Sequence, residues 1–402
     1  MSDSVSGFDI ICLSTNHWTG LPTSKQHLMS VFARSRRVLY VDPPIDVFSV
    51  LGRRRRWPKL RGLRQEADGL WVLSPVDVAV SSSPDRALAR YGRLTGRVKR
   101  AARALELTDP VVWTFAPEHA ACCAGLPASL VVYQAADDPA AMSSDPARTR
   151  ELERKHIAAC DLVFVASEEL LRARGSAGHV CRLPNAADRR HFSSVLTGDP
   201  DAPLDTFLES LRAPRHTPRE LGSLDGPVVL FGGAAYSWFD VGLTFELATL
   251  RPDWNIVLVG PTAGRISRER LPANVTVVGR KPYDDFPWYV AAADVGILPL
   301  VEGESSRNCD PIVMYEFLLC GKPVVATPFP AAGEHGTLVC TATTASGFAG
   351  EIEKALVETG DPDRVRERVE FGFSCTWEGR AEEALRRVSD MLSSGGRKEG
   401  RT

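Results

Sequence analysis

The sequence predicts an α/β protein built from two doubly wound domains. Short apolar runs alternate with longer amphipathic stretches, as in β-α units around a parallel sheet. That alternation halts at a stretch rich in Gly and Pro and then restarts. With 402 residues, 44% of them hydrophobic, the chain is long and apolar enough for two cores.

The first half reads as strands at Asp9–Ser14, Val38–Val41, Leu70–Ser74, Pro110–Phe115, Leu130–Gln134, Leu162–Ala166 and His179–Leu183. Helices fall between several of them, at Ser24–Arg34, Ala87–Leu105 and Ala147–Ala159. The first domain is therefore expected over residues 1–192. Residues 193–226 hold Gly198, Pro200, Pro203, Pro214, Pro218, Gly222 and Gly226 around one helical patch at Leu204–Leu211, and read as an interdomain linker. Strands resume at Val228–Phe231, Asn255–Val259, Val275–Val278, Val295–Pro299, Pro323–Thr327 and Thr337–Cys340, giving a second domain over 227–371. A terminal helix over 372–392, centred on Trp377–Met391, packs back toward the first domain. The polar tail 393–402 is expected to be disordered.

Charge and cysteines narrow the function classes. The formal net charge is −2, so no bulk attraction to nucleic acid is expected and any electrostatic role is local. Nine scattered cysteines without a C-x-x-C pair read as reduced thiols of a cytoplasmic protein. No basic-then-apolar leader opens the sequence, and no run reaches the ~18 apolar residues of a spanning helix.

Leu298–Thr327 carries the chemistry. A strand, VGILPL, runs into a polar loop with Glu302, Glu304 and Arg307, then Asp310-Pro311, the apolar helix IVMYEFLLC, Gly321 and the strand PVVAT. Asp310 fits an N-cap, Pro311 the first helical position and Gly321 the C-terminal stop. Glu316 sits mid-helix among apolar residues, where a carboxylate is costly unless it binds something. It can accept hydroxyl hydrogen bonds from a vicinal diol such as ribose, with the free N–H groups at the helix start taking a phosphate. The other reading is a core ion pair with a basic residue.

Asp310–Val325 reads D-P-I-V-M-Y-E-F-L-L-C-G-K-P-V-V, which resembles the donor-binding motif N-P-x-K-L-Y-E-Y-L-x-x-G-K-P-V-V of retaining GT-B glycosyltransferases of family 4. STNHWTGLPTSKQHL, VVYQAADD, CDLVFVASEEL, LPNAADRRHF, GRKPYDDFPWYVAAADVGILPL and TWEGR agree in order, so the resemblance covers roughly 9–391. It implies two Rossmann-like domains facing across a cleft, an N-terminal acceptor domain and a C-terminal donor domain. Glu316 would then hold the ribose, and Pro311, Ile312 and Val313 with the preceding loop the diphosphate.

Several positions depart from that pattern. Asn308 replaces a Glu that touches the donor sugar, and Glu304 matches an earlier Glu able to share that role. Val313 replaces the motif's Lys, and Asp310 its Asn, with the Asp expected to turn into its own helix cap. The usual Arg and Lys after the first strand of the second domain are missing from LFGGAAYSWFD; Gly232 and Gly233 would admit a phosphate to the backbone there. Cationic charge is left to Arg307, Arg280 and Lys281.

On the acceptor side, Gly20 reads as a turn glycine or a phosphate approach, and Lys25 and His27 as cleft groups or a solvated first turn. His119 follows the strand VVWTF, where the fold places groups near the donor sugar, with a structural histidine as the alternative. Asp137 and Asp138 end the strand LVVYQ; no third metal ligand is evident, so one serves as an acceptor-side base or a helix cap. Asn185 is expected in the left-handed conformation where the chain changes domain. Arg53, Arg54, Arg55, Arg56, Lys59, Arg61 and Arg64, interleaved with Trp57, Leu60 and Leu63, read as a solvated loop or as a surface for an anionic membrane or acceptor.

The function that follows is transfer of a sugar from a nucleoside-diphosphate sugar, base unassigned, to a glycan, a lipid-linked acceptor or a small natural product. Retention and independence of metal or other cofactor are expected. The alternatives are a nucleotide-sugar epimerase, a sugar phosphorylase, or a non-catalytic nucleotide-sugar binder. A dinucleotide-dependent dehydrogenase is disfavoured because the first β-α loop has no G-x-G-x-x-G.

Overall fold

The structure is a computed structural model that describes residues 7–46, 62–77, 83–175, 179–262, 264–266 and 271–395. The chain forms two compact units, residues 1–184 with 380–402, and residues 185–379.

The first unit is built on β1 (Ile10–Leu13), β2 (Val38–Val41), β4 (Gly62–Ala67), β5 (Leu70–Ser74), β7 (Val111–Thr114), β8 (Leu130–Ala135), β9 (Leu162–Val165) and β10 (Val180–Arg182). Their order in the sheet is β10-β9-β8-β7-β1-β2-β5-β4, parallel except for β4, which runs antiparallel to β5. A ribbon of β3 (Ile45–Asp46) and β6 (Val76–Asp77) stands apart. The central strands IICL, VLYV, VVWT and LVFV are buried throughout, as strands covered on both faces must be. Helices α1 (Ser24–Phe32), α2 (Pro84–Ala104), α3 (Pro146–Ala159) and α4 (Glu168–Arg174) connect them. Trp113 stacks on Phe164 with centroids 5.5 Å apart, and its indole N–H donates to Gln134 at 2.9 Å. A buried ring thus keeps a partner for its one polar atom.

The second unit is a six-stranded parallel sheet of β11 (Val228–Gly232), β12 (Asn255–Val259), β13 (Val275–Gly279), β14 (Val295–Leu298), β15 (Val324–Ala326) and β16 (Val339–Thr341). Its order, β13-β12-β11-β14-β15-β16, is doubly wound, with the switch between β11 and β14. Helices α5 (Arg189–Thr197), α6 (Leu204–Arg212), α7 (Val241–Leu250), α8 (Phe286–Ala292), α9 (Ile312–Leu319), α10 (Ala345–Glu358) and α11 (Pro362–Ser374) belong to it; α12 (Trp377–Ser393) starts in this unit and ends in the first.

Three expectations are corrected. Residues 193–226 are not a free connection: Phe207 and Leu208 of α6 lie in the second core, Phe207 packs on Phe373 at 5.3 Å, and Asp205 pairs with Arg366 at 2.5 Å. The first unit therefore ends at residue 184 and not at 192, and the chain changes unit at Asn185, the position expected for the crossing. Asn185 has no positive φ; its backbone N–H and side-chain amide are both committed to Asp310, at 2.7 and 2.5 Å. Hydrogen bonding, not a left-handed turn, fixes it. In α12, Arg387 reaches Cys181 at 3.2 Å within the first unit. Of the tail, residues 396–402 lie outside the described residues.

Candidate functional site

Ligands of doubly wound sheets sit at the carboxyl ends of strands, where the order reverses. In the second unit those are the ends of β11 and β14. Their loops are zipped together: the Asp240 N–H donates to the Pro299 carbonyl and the Val301 N–H to the Trp238 carbonyl, each at 2.8 Å. Gly233 takes φ +128°, and a Cβ on the neighbouring Gly260, at φ +142°, would stand 1.8 Å from the Gly233 carbonyl oxygen. The two turns therefore require glycine for close backbone approach. Gly232 does not open to a phosphate as expected. A Cβ there would lie 2.5 Å from Phe286 and 3.0 Å from Val313, so packing fills that side.

After β14 come a helical turn at Glu304–Arg307 and then α9, whose N-cap is Pro311 and whose first turn has no side-chain cap. The N–H groups of Ile312 and Val313 thus present the positive end of the helix. Asp310 was expected to cap this helix and instead ties two segments together. Its carboxylate, 3% exposed, accepts the Asn185 N–H at 2.7 Å and the Tyr315 hydroxyl at 2.9 Å. This use turns the additional negative charge away from the helix start.

Glu316, one turn further on, is 4% exposed. The Tyr283 hydroxyl donates to Glu316 Oε1 at 2.7 Å. Burial, then the neighbouring Glu316, raises the Tyr283 pKa well above the ordinary tyrosine value, so the hydroxyl stays a donor. The Tyr283 ring stacks on His191 of α5 at 4.4 Å and 11°, and His191 Nε2 lies 3.2 Å from the Tyr283 carbonyl. Sequence reading missed both residues. Tyr283 stood inside the quoted stretch GRKPYDDF, but the contact spans 33 positions and no local spacing signals it.

The cations divide. Lys281 is not available for a diphosphate: it pairs with Glu220 at 2.5 Å, and Tyr289 donates to the same carboxylate at 2.9 Å. Lys281 holds Glu220 down at a pKa of about 2. Arg280 is exposed. Arg307 is 67% exposed and lies 3.9 Å from the exposed Glu302, a loose pair of little energetic weight. Asn308 and Val313 are half-buried, and the Glu304 side chain lies outside the described residues.

In the first unit the sheet order reverses at β1 and β7. Gly20 closes a tight turn, donating to the His17 carbonyl at 2.8 Å; a Cβ would press on that same oxygen, so this is a turn glycine and not an open approach. Lys25 and His27, in the first turn of α1, are 8% and 6% exposed, not solvated. The Lys25 ammonium lies 5.3 Å from the Phe115 ring, past the end of β7. Burial pushes its pKa down, opposed by Asp137. His119 is fully buried, its Nδ1 accepting the Phe115 N–H at 3.2 Å. The neutral ring therefore carries its proton on Nε2, which has no hydrogen-bond partner. Burial first, then His156, Lys25 and Arg90, lowers its pKa well below the ordinary value. Asp137 is exposed. Asp138 takes the helix-cap role, accepting the Ala140 N–H at 3.0 Å, and pairs with Arg174 at 3.3 Å, which removes it from the acceptor side.

Among the described residues, no group of three or more His, Cys, Asp or Glu could hold a metal ion, and no helix is long and apolar enough to cross a membrane. Arg53 to Arg56, Lys59 and Arg61 lie outside the described residues. Arg64 is committed, at 3.0 Å from Glu66 and 2.9 Å from Ser74.

Residues 227–358 match the family of glycosyl transferases group 1. The putative teichuronic acid biosynthesis glycosyltransferase TuaH of Bacillus subtilis is 32% identical over 114 residues, 27% of this chain and 29% of that protein, so the match spans under a third of the relative's length. Anabaena Alr3699/HepE in complex with UDP superposes with a TM-score of 0.62 at 18% identity, over 95% of this chain and 100% of that one. The catalytic domain of Arabidopsis thaliana starch synthase IV, bound to ADP and acarbose, gives 0.65 at 13% identity over 96% and 100%. At these identities the structures speak for the fold, which is GT-B. Residues 227–358 of the second unit are thus similar to group 1 glycosyl transferases, in a chain of GT-B architecture.

Proposed function

We propose that the protein transfers a sugar from a nucleoside-diphosphate sugar to an acceptor, with retention of anomeric configuration and without a divalent metal. The observation that carries the reading is the uncapped start of α9 one turn before a buried carboxylate held by a tyrosine. Phosphate at the N–H groups and ribose at the carboxylate is the spacing a nucleotide needs. The bound nucleotides of Alr3699/HepE and starch synthase IV, UDP and ADP, support a nucleotide donor here. His119, with its proton on Nε2, would donate to a sugar hydroxyl, and Lys25 and Asp137 would orient the acceptor. The basic run from Arg53 to Arg64 would meet an anionic surface or acceptor.

In this reading the departing diphosphate accepts the acceptor's proton, and the protein stabilises charge that develops on it. Arg307, exposed and only loosely paired with Glu302, is the cation for that step. Arg307→Ala is accordingly expected to lower kcat by about 10²-fold or more with a donor Kd within about threefold of wild type. Equal losses in kcat and affinity, read by steady-state kinetics and calorimetry, would make Arg307 a ground-state binder instead.

Tyr283→Phe removes the hydroxyl that orients Glu316. Donor affinity is expected to fall by about 0.5–1.5 kcal/mol, with kcat nearly unchanged. The penalty for a 3′-deoxyribose nucleotide should shrink in this variant, since the mispositioned carboxylate already recognises the hydroxyl poorly. An unaltered penalty, measured by titration calorimetry, would deny Tyr283 that role.

The reading as a whole is tested by turnover against UDP-, GDP-, ADP- and dTDP-sugars in EDTA, with NMR of the product linkage. Release of free nucleotide with a retained anomeric centre is expected. Inversion, or activity abolished by chelation, would overturn the mechanism.

A further inference from the structure

The loop that follows β11 holds aromatic side chains that none of the proposed chemistry uses. Residues 233–240, GAAYSWFD, contain no Lys or Arg. Their one acid, Asp240, serves as the N-cap of α7, accepting the Leu243 N–H at 2.9 Å. Phe239 is fully buried and packs on Phe231 with centroids 4.5 Å apart, on one face of the sheet. It is bridged antiparallel to Leu300, and neighbours along an extended segment point to opposite faces. Trp238 accordingly packs against the other cluster, which holds Leu298, Leu300 and Met314 of α9. Its carbonyl accepts the Val301 N–H at 2.8 Å, locking it to the start of the loop that leads into α9. Tyr236 stands edge-on to Trp238, with centroids 5.1 Å apart and rings at 67°. Both are half-buried, and Val301 is 41% exposed. Neither the Tyr236 hydroxyl nor the Trp238 indole N–H has a hydrogen bond with the described residues. An apolar patch with open polar edges thus stands at the carboxyl ends of β11 and β14, where ligands of such sheets sit.

We propose that Trp238, buttressed by Tyr236, is the wall against which the donor's pyranose ring stacks, and that it helps to select the sugar. The inference rests on the reading that α9 binds a nucleotide. With ribose at Glu316 and phosphate at Ile312 and Val313, the donor runs toward the helix start, about 6 Å over those four residues. The next group along that line is the sugar. It leaves the helix and comes over the loop 301–309, to whose first residue Trp238 is hydrogen-bonded. A pyranose with equatorial hydroxyls has a face of C–H groups and a polar rim. Indole matches both, with a flat apolar face and an N–H at its edge. Small-molecule sites are lined in this way, mostly by apolar and aromatic groups with a few polar ones. A tryptophan also turns about only two torsions, so holding it against a sugar costs little entropy. The loop has no cation to offer a phosphate, so its side chains act on the sugar and not on the diphosphate.

The test is titration calorimetry on the full chain. UDP, GDP, ADP and dTDP first fix the base; the one that binds is then compared with its glucose, N-acetylglucosamine, galactose and mannose conjugates. Wild type is expected to prefer one conjugate. Trp238→Ala should weaken that conjugate about fivefold or more, while the free nucleoside diphosphate stays within about twofold of wild type. Trp238→Phe, which keeps a ring, should recover most of the loss. If Trp238→Ala melts early, Trp238→Leu keeps an apolar side chain against Leu298 and Leu300 and should show the same split. Equal losses for the conjugate and the free nucleoside diphosphate would make Trp238 a support of the loop and overturn the inference, as would no loss for either. Wild type that bound none of the four nucleoside diphosphates would overturn the nucleotide reading itself, and this inference with it.

Discussion

Replacing Glu316 with glutamine is expected to weaken donor binding by about 1.5–3 kcal/mol, the range for hydrogen bonds to a charged group. The carboxylate is 4% exposed and its one oxygen is fixed by Tyr283 at 2.7 Å, so its orientation is set before the ligand arrives. Glutamine keeps an acceptor for the tyrosine hydroxyl but loses the charge that strengthens a bond to ribose. Stability should hardly change, because a desolvated charge is removed without orphaning its donor. Calorimetry with the free nucleoside diphosphate and a thermal melt separate the two effects. A large fall in melting temperature with unchanged affinity would return Glu316 to a purely structural role.

Asp310→Ala should do the opposite. Asp310 accepts from the Asn185 backbone N–H and from the Tyr315 hydroxyl, and is itself 3% exposed. Alanine leaves two buried donors without that acceptor, each costing about 1–3 kcal/mol, for a total of roughly 2–6 kcal/mol. In a unit of this size that corresponds to a fall of about 5–15 °C in its melting midpoint. Asp310→Asn retains one acceptor oxygen and should recover about half. Donor affinity should follow stability only indirectly, through the set of the loop before α9. A thermal midpoint within 2 °C or so of wild type in Asp310→Ala would show that the Asn185 and Tyr315 contacts carry little weight.

Much of this architecture was legible because parallel strands covered on both faces are continuous apolar runs: LVFV and VGIL announce themselves. The polar strand β4, GLRQEA, did not, since an edge strand carries charge against mispairing and shows no apolar period. Helix α5 was hidden for a different reason. LPNAADRRHF reads as a turn until the Asp188 side chain is seen capping the His191 N–H. At the site, Glu316 stood out because a lone acid in an apolar helix demands a partner. Its partner did not, nor did the pairing of Lys281 with Glu220 across 61 positions, because such contacts depend on tertiary placement and leave no local spacing. Gly232 misled for the same reason: a glycine after a strand signals close approach without saying whether a ligand or, as here, a phenylalanine ring approaches.

The central claim, that the second unit holds the nucleotide through α9, is tested most directly by a crystal structure of the full chain with a bound nucleoside diphosphate. The account predicts ribose hydroxyls within about 2.6–3.2 Å of the Glu316 carboxylate and phosphate oxygens at the N–H groups of Ile312 and Val313. A nucleotide bound elsewhere, or a ribose out of reach of Glu316 with Tyr283 still bonded to it, would contradict it.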